Sequence, residues 1–285
     1  MTEHAPSIPW SQWLNVLGLD APLVILGWTV LFSSGYGAPA LHGSCASIFL
    51  GIWAGYIMDR WLDARRIPVE SIVTYRHRFA YQHSKKIFVA GIIISGASAI
   101  LGWISFSREV FWMAVLLLAV ASLYFLKLAS SPKTRELRKR TPVKEISVSV
   151  ILAGAAIVPL GWRPLLQAPF STALCGAALA LLYFQNCALV ASWDQPTDEA
   201  QQQIGYFTLR KQSSLVARWV GPSLLVTLVV IGTLFPKNYQ LPTPVLLAFI
   251  LSSASLEILQ IFRGRIPLDS RRALADLALM CAWLF

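Results

Sequence analysis

The sequence predicts an all-α polytopic membrane protein in which nine helices cross a bilayer. Three observations carry this. Hydrophobic residues fill 56% of the 285 positions and charged residues only 13%, too apolar a balance for an ordinary soluble domain. The apolar residues gather into runs close to the ~20 residues that span a bilayer core. Those runs are too long for the strands of a membrane barrel and lack strict alternation. No long polar insertion separates them, so residues 1–285 read as a single membrane domain.

The elements follow in chain order. The first residues, "MTEHAPSIPWSQWLNVLGL", have no basic leader of the kind that opens a signal peptide. Trp10, Trp13, Leu14 and Leu17 fall at helical spacing, which suits a short interfacial helix with tryptophan anchors; a tail leading into the first span is the alternative. Apolar runs then lie near 18–35, 40–62, 85–105, 109–129, 145–162, 169–193, 213–235, 243–262 and 269–285. The small-residue stretch "ILAGAAIVP" (151–159) permits close helix packing.

Charge orients the chain. Of its 24 Lys and Arg residues, all but Arg108, Arg163 and Lys237 lie in or beside the loops after the second, fourth, sixth and eighth runs. By the positive-inside rule those loops are cytoplasmic. The N-terminus is then cytoplasmic too, and Phe285 ends on the opposite side. The net charge of +10 is mainly this topology signal. It does not imply nucleic-acid binding, because no soluble basic domain carries it. Cys45, Cys175, Cys187 and Cys281 all fall inside apolar runs without metal-ligand spacing and read as small buried residues. No Cys/His cluster, phosphate loop or serine-nucleophile motif appears.

The acids are more informative. Asp59 and Asp63 close the second run in "GYIMDRWLDARR", and Asp194 and Asp198 close the sixth in "NCALVASWDQPTDEA". Each pair is D-x-x-x-D, each faces the cytoplasmic side, and four residues apart means one helical face. Like charges at that spacing are unfavourable by about 0.2–0.5 kcal/mol. A divalent cation offsets this, and Mg²⁺ is held by carboxylates together with substrate phosphates. The plainer reading is a charged helix end, with Asp63 pairing to Arg66. Two further acids lie inside apolar runs. Glu257 either lines a pocket or is neutralised by a neighbouring helix. Asp276 follows Arg272 by four residues, the spacing of a helix-face ion pair.

On these motifs the chain resembles the UbiA superfamily of intramembrane prenyltransferases, nine-helix proteins with aspartate-rich motifs after helices two and six. "DRWLD" resembles the D-R-x-x-D part of the first motif, giving Asp59, Arg60 and Asp63. "DQPTD" resembles the end of the second, giving Asp194 and Asp198. The leading Asn and Asp of the first motif are replaced by Gly55 and Tyr56, and the leading Asp of the second by Ala191, as in a divergent branch.

The resemblance implies nine helices around a central cavity open to the cytoplasmic side. It implies a Mg²⁺-dependent transfer of an isoprenoid group from a prenyl diphosphate to a lipophilic or aromatic acceptor. Asp59, Asp63, Asp194 and Asp198 would be the catalytic metal ligands. Arg60, Arg76, Arg78, Arg138, Arg140 and Lys144 would meet the diphosphate, since an arginine fork matches phosphate geometry. The positive-inside rule accounts for the same basic residues. Asn186 is a weaker substrate-side candidate, and Tyr56 and Trp193 are candidates to face the developing cation. A membrane terpene cyclase and a non-catalytic isoprenoid-binding scaffold are the alternatives. A transporter is disfavoured because the paired acids lie at one face rather than at the midplane.

Overall fold

The computed structural model describes residues 9–38, 42–66, 74–130, 141–200, 206–209, 213–234 and 241–285. Every regular element among them is helical. In chain order these are α1 (Trp13–Leu17), α2 (Asp20–Gly35), α3 (His42–Arg66), α4 (Tyr75–Gln82), α5 (Ser84–Ser105), α6 (Arg108–Ser130), α7 (Val143–Ile157) and α8 (Arg163–Gln167). They are followed by α9 (Pro169–Trp193), α10 (Gln195–Ala200), α11 (Tyr206–Leu209), α12 (Ser213–Leu234), α13 (Thr243–Phe262) and α14 (Leu268–Leu279). Each apolar run of the sequence coincides with one of the longer helices. Among the described residues, four segments are long and apolar enough to cross a membrane: Ser84–Ser105, Val143–Leu160, Pro169–Trp193 and Thr243–Arg265.

The surface fits that environment. Ser84–Ser105 has a mean hydropathy of 2.2, yet only 11% of its most apolar stretch is buried. Ile92, Ile93, Ile100, Trp103 and Ile104 on α5 and Leu116, Leu118 and Leu123 on α6 are exposed. A water-soluble protein rarely shows so continuous an apolar face, whereas hydrocarbon tails solvate it at no cost.

Helix contact follows from small residues, because between apolar helices in lipid only close packing and hydrogen bonds discriminate. Helices α3 and α5 show this along their length. Ser47 Oγ donates to the Ser98 carbonyl at 2.9 Å, and Ser98 Oγ returns a bond to the Ser47 carbonyl at 2.7 Å. A Cβ on Gly102 would lie 2.9 Å from Ser47 Oγ, and one on Gly91 would lie 2.8 Å from Met58 Sδ. The 151–159 patch works likewise: Ala155 and Ala156 are buried, and Thr29 Oγ1 donates to the Ala156 carbonyl at 3.2 Å, joining α7 to α2.

The core lies where α2, α9, α13 and α14 meet. Trp28 stacks on Phe249 with ring centres 4.6 Å apart, and its indole N–H donates to the Leu279 carbonyl at 3.0 Å. The chain end closes over α2: the Trp283 indole N–H donates to the Leu23 carbonyl at 3.1 Å and its ring packs on Gly27. The first and last long helices are thereby joined, which brings their basic-loop-side residues beside those of α9.

A short helical segment stands at the N-terminal side of α2. It consists of the 3-10 turn Trp10–Gln12 and α1, with Trp10 92% exposed. Gly18 ends it at φ +67°, where its N–H bonds the Asn15 carbonyl at 3.1 Å. This is the left-handed helix stop that glycine adopts without strain.

Candidate functional site

The site forms where the basic loops meet the helix ends, and α4 is its hub. Thr74 caps α4 by accepting from the His77 N–H at 3.4 Å. The helix packs against α1, with Phe79 edge-on to Trp13 at 6.1 Å, and against α3 and α5. Two neighbouring side chains on it reach the two acid motifs. His77 Nε2 lies 3.9 Å from Asp63 Oδ2, and Arg76 Nη2 lies 3.9 Å from Asp194 Oδ2. One acid from each D-x-x-x-D pair therefore converges on the same short helix.

Asp194 has a second and stronger partner. Arg272 Nε donates to its two oxygens at 2.7 and 3.0 Å, and Nη2 lies 2.6 Å from Oδ1. Both residues are buried, so this is a desolvated, bidentate pair of the strong type. Arg272 Nη1 also donates to Asp269 at 3.2 Å. The ion pair expected between Arg272 and Asp276 is thus not the observed arrangement. The guanidinium turns to Asp194 on α9, and Asp276 lies within electrostatic reach of Asp20 and Asn186.

A second polar cluster lies one turn deeper. Asp20, buried in the first turn of α2, accepts from Asn15 Nδ2 at 2.7 Å and from the Ala21 N–H at 2.9 Å. Tyr56 is within electrostatic reach of Asp20, Asp59 and Asp276. Arg60 is buried beneath α1, donating to the Val16 carbonyl at 3.3 Å beside Gly18. It feels the positive charge of Arg76 and the negative charges of Asp20 and Asp59. Tyr56, Cys187 and Asp276 are surrounded by protein yet keep some accessible surface.

The remaining expected residues fall as follows. Asp59 is exposed, while Asp63 is half-buried. Lys144, at the start of α7, is exposed and its charge is felt at Asp198. Arg78 is half-buried on α4, and no contact with the four motif acids is seen for it among the described residues. Asn186 belongs to the deeper cluster. Arg138 and Arg140 lie outside the described residues. Trp193 is buried and its indole N–H donates to Gln260 Oε1 at 2.7 Å, which ties its ring to α13. The four cysteines are free thiols.

Two titrations define the electrostatics. Burial, aided by the charges of Arg76, Arg60 and Arg272, pushes the His77 imidazole down to about 3. His77 is therefore neutral, and its contact with Asp63 joins an imidazole to a carboxylate rather than two ions. Burial, and then the negative charge of Asp194, pushes the Asp198 carboxyl up to about 6 against the pull of Lys144, Arg76 and Arg272.

The sign follows from linkage. A raised acid is stabilising while it is protonated, so its contribution falls as pH rises from about 4 to about 6. His77 acts oppositely, costing stability as pH falls below its ordinary value. Comparing variant with wild type isolates Asp198. Asp198→Asn should be more stable than wild type at pH 7, by an amount bounded at about 3 kcal/mol, and close to it at pH 4. Thermal unfolding in detergent at the two pH values measures this; an equal effect at both would show that the Asp198 charge is not penalised in the fold.

Magnesium does not fit these four acids as they are arranged. Among the described residues, no group of three His, Cys, Asp or Glu side chains comes together as a ligand set. Asp194 already gives both oxygens to Arg272, and Asp59 is exposed. The donor set is instead one of guanidinium groups over carboxylates, with Arg76 Nε buried and without a hydrogen-bond partner.

Arg272, Asp20 and Asp276 escape the motif reading. Asp20 is a first-turn acid and Arg272 a residue beside a basic loop, each ordinary for its place. The signal that finds them is position: all three lie within about two turns of the basic-loop side inside apolar runs, where ionisable groups are expensive and need partners. Comparison with protein-family models, with curated proteins and with solved structures finds no match for the chain.

Proposed function

We propose that this protein is an integral membrane prenyltransferase, passing an isoprenoid group from a prenyl diphosphate to a lipophilic or aromatic acceptor. All nine long helices cross the bilayer in this reading, around a cavity open to the cytoplasm. The N-terminus and the site are cytoplasmic. The observation that carries it is the convergence of Arg60, Arg76 and Arg272 from α3, α4 and α14 at the basic-loop side, with the Arg76 Nε unpartnered. Two buried guanidiniums and the half-buried one of Arg76, at one end of an apolar bundle, suit a molecule with a polyanionic head and a hydrocarbon tail.

In this reading the diphosphate meets Arg76 and Arg60, while Arg272 is held by Asp194. Fixed positive charge stabilises the oxyanion as the allylic carbon–oxygen bond breaks, the electron pair leaving with the diphosphate. The surrounding apolar helices keep water from the allylic cation. Tyr56, partly accessible beside the charges of Asp59 and Asp276, is the ring this reading offers to that cation.

Arg76→Met should weaken binding of farnesyl diphosphate by about 10- to 100-fold, the loss of a charge-assisted contact. Arg108→Met, in a loop on the opposite side, should leave it unchanged. Equilibrium binding to the detergent-solubilised protein, with EDTA and with excess magnesium, measures this. Equal effects of the two variants would remove the arginine site. Binding that disappears on chelation would return a divalent cation to the head group. Diphosphate release during incubation separates an enzyme from a lipid-binding scaffold, and a requirement for acceptor separates a transferase from a cyclase.

A further inference from the structure

A groove runs along the face of α2 that carries Leu26, Val30, Ser33 and Gly37, residues at helical spacing. Its volume is about 680 Å³, the size of sites that hold small molecules. From Leu26 to Gly37 it follows the chain for about 16 Å at the helical rise. That is near half of a hydrocarbon core ~30 Å thick, the depth of one leaflet. The arginine site stands by the start of α2, whereas this groove lies toward its other end, on the side away from the basic loops.

The groove is apolar at its deep end and polar at its outer end. Leu26, Val30 and Trp283 form the apolar wall. Trp283 is fixed there by its bond to the Leu23 carbonyl, and Gly27 admits it, since a Cβ would lie 2.6 Å from the indole nitrogen. Ser33, Ser34 and His42 form the polar end. A Cβ on Gly37 would meet nothing within 4 Å, so the groove is open there. Ser33 is only 6% exposed, and its Oγ is buried without a hydrogen-bond partner among the described residues. Buried polar groups are nearly always paired, so this hydroxyl marks the place of a polar group from outside the chain. That group is uncharged. No Lys, Arg, Asp or Glu occurs from Ala21 to Met58, the segment that supplies all of the lining except Trp283.

We propose that this groove binds a membrane lipid with one hydrocarbon chain and an uncharged, hydroxyl-bearing head, of the monoacylglycerol class. The chain lies along Leu26, Val30 and Trp283, reaching from the outer end toward the bilayer midplane. The head sits at the outer end of α2, where a hydroxyl both donates to and accepts from Ser33 Oγ, with Ser34 and His42 beside it. A charged head is disfavoured because no fixed charge lines the groove to replace its water. The inference does not rest on the prenyl-transfer reading; it requires only that α2 lie in a bilayer.

The test uses the full chain in phosphatidylcholine vesicles and monooleoylglycerol carrying a photoreactive diazirine on its chain. Peptide mass spectrometry should place the label on α2 and on the segment holding Trp283. Unlabelled monooleoylglycerol should compete about 3- to 10-fold better than methyl oleate, which has no hydroxyl, or oleate, which is charged; that ratio is the worth of one hydrogen bond. Val30→Trp fills the groove from a position already 41% exposed, and should reduce labelling about 10-fold or more. Val226→Trp, on the exposed face of α12, should leave it unchanged. Ser33→Ala should weaken competition by monooleoylglycerol about 3- to 10-fold without lowering the unfolding midpoint, because it removes a hydroxyl that the fold leaves unpaired. The inference is overturned if the three lipids compete equally, if Val30→Trp acts no more than Val226→Trp, or if Ser33→Ala keeps the wild-type affinity. A Ser33→Ala midpoint well below wild type would overturn it too, since the hydroxyl would then be serving the fold.

Discussion

Arg272→Gln should destabilise the fold by about 3–5 kcal/mol, the effect of leaving one member of a buried ion pair without its partner. The reason is the isolation of Asp194. It is only 4% exposed, and its other cation, Arg76, stands at 3.9 Å, too far for a hydrogen bond. Removing Arg272 leaves a carboxylate that burial has taken out of solvent contact. Asp194→Asn alone strands the guanidinium and should cost a similar amount. The double variant Asp194→Asn/Arg272→Gln should recover much of the loss, because two neutral amides can bond one another. Thermal unfolding in detergent for the three variants gives the coupling directly. Simple additivity would mean that the pair is solvated and contributes little. The same data bear on function: an Asp194 that is structurally committed to Arg272 is poorly free to grip a metal.

Gly221→Val should cost about 3 kcal/mol. It is an overpacking change at a site that also disrupts a hydrogen bond between helices. A Cβ on Gly221 of α12 would collide with Glu257 Oε1 and Gln185 Nε2. Those atoms bond one another at 2.9 Å, joining α9 to α13, and Ser253 Oγ completes the set by donating to Gln185 Oε1 at 2.8 Å. Glycine is needed here because the backbone of α12 lies directly on a polar contact. Gly221→Ala should be milder, and Glu257→Ala should relieve part of its cost by removing one of the atoms it meets. Unfolding midpoints that fall equally for Gly221→Ala in the wild-type and Glu257→Ala backgrounds would show that the collision is not what matters.

Glu257 shows how far residue type and position lead. Its place inside an apolar run marks it as a group that needs a partner, and the two readings open from sequence are a pocket lining or a neutralising contact. The structure decides for the contact with Gln185. Asp276 shows the limit. Arg272 stands four residues away at ideal helical spacing, yet it finds a better partner in Asp194 on another helix. Local spacing proposes a pair worth a few tenths of a kcal/mol, whereas a buried bidentate contact is worth several times that, so the tertiary option wins. The acid motifs give an intermediate case. Asp63 and Asp194 do approach a common element, but through Arg76 and His77 of a loop helix rather than through one another.

What the sequence by itself determined is the helical architecture and its environment. Apolar runs of bilayer length specify helices, because backbone N–H and C=O groups in hydrocarbon must be satisfied within the segment. The one-sided distribution of Lys and Arg supplies the expected orientation. Each of these is a property of a segment read alone. What only the tertiary structure decided is which charges meet. Arg272 with Asp194 and Gln185 with Glu257 are contacts between helices far apart in the chain. They depend on which faces turn inward and on how closely glycine and serine let the backbones approach. The energy of a buried charge is set by its nearest neighbours and not by its position in the sequence, so the chemistry of this site belongs to the fold.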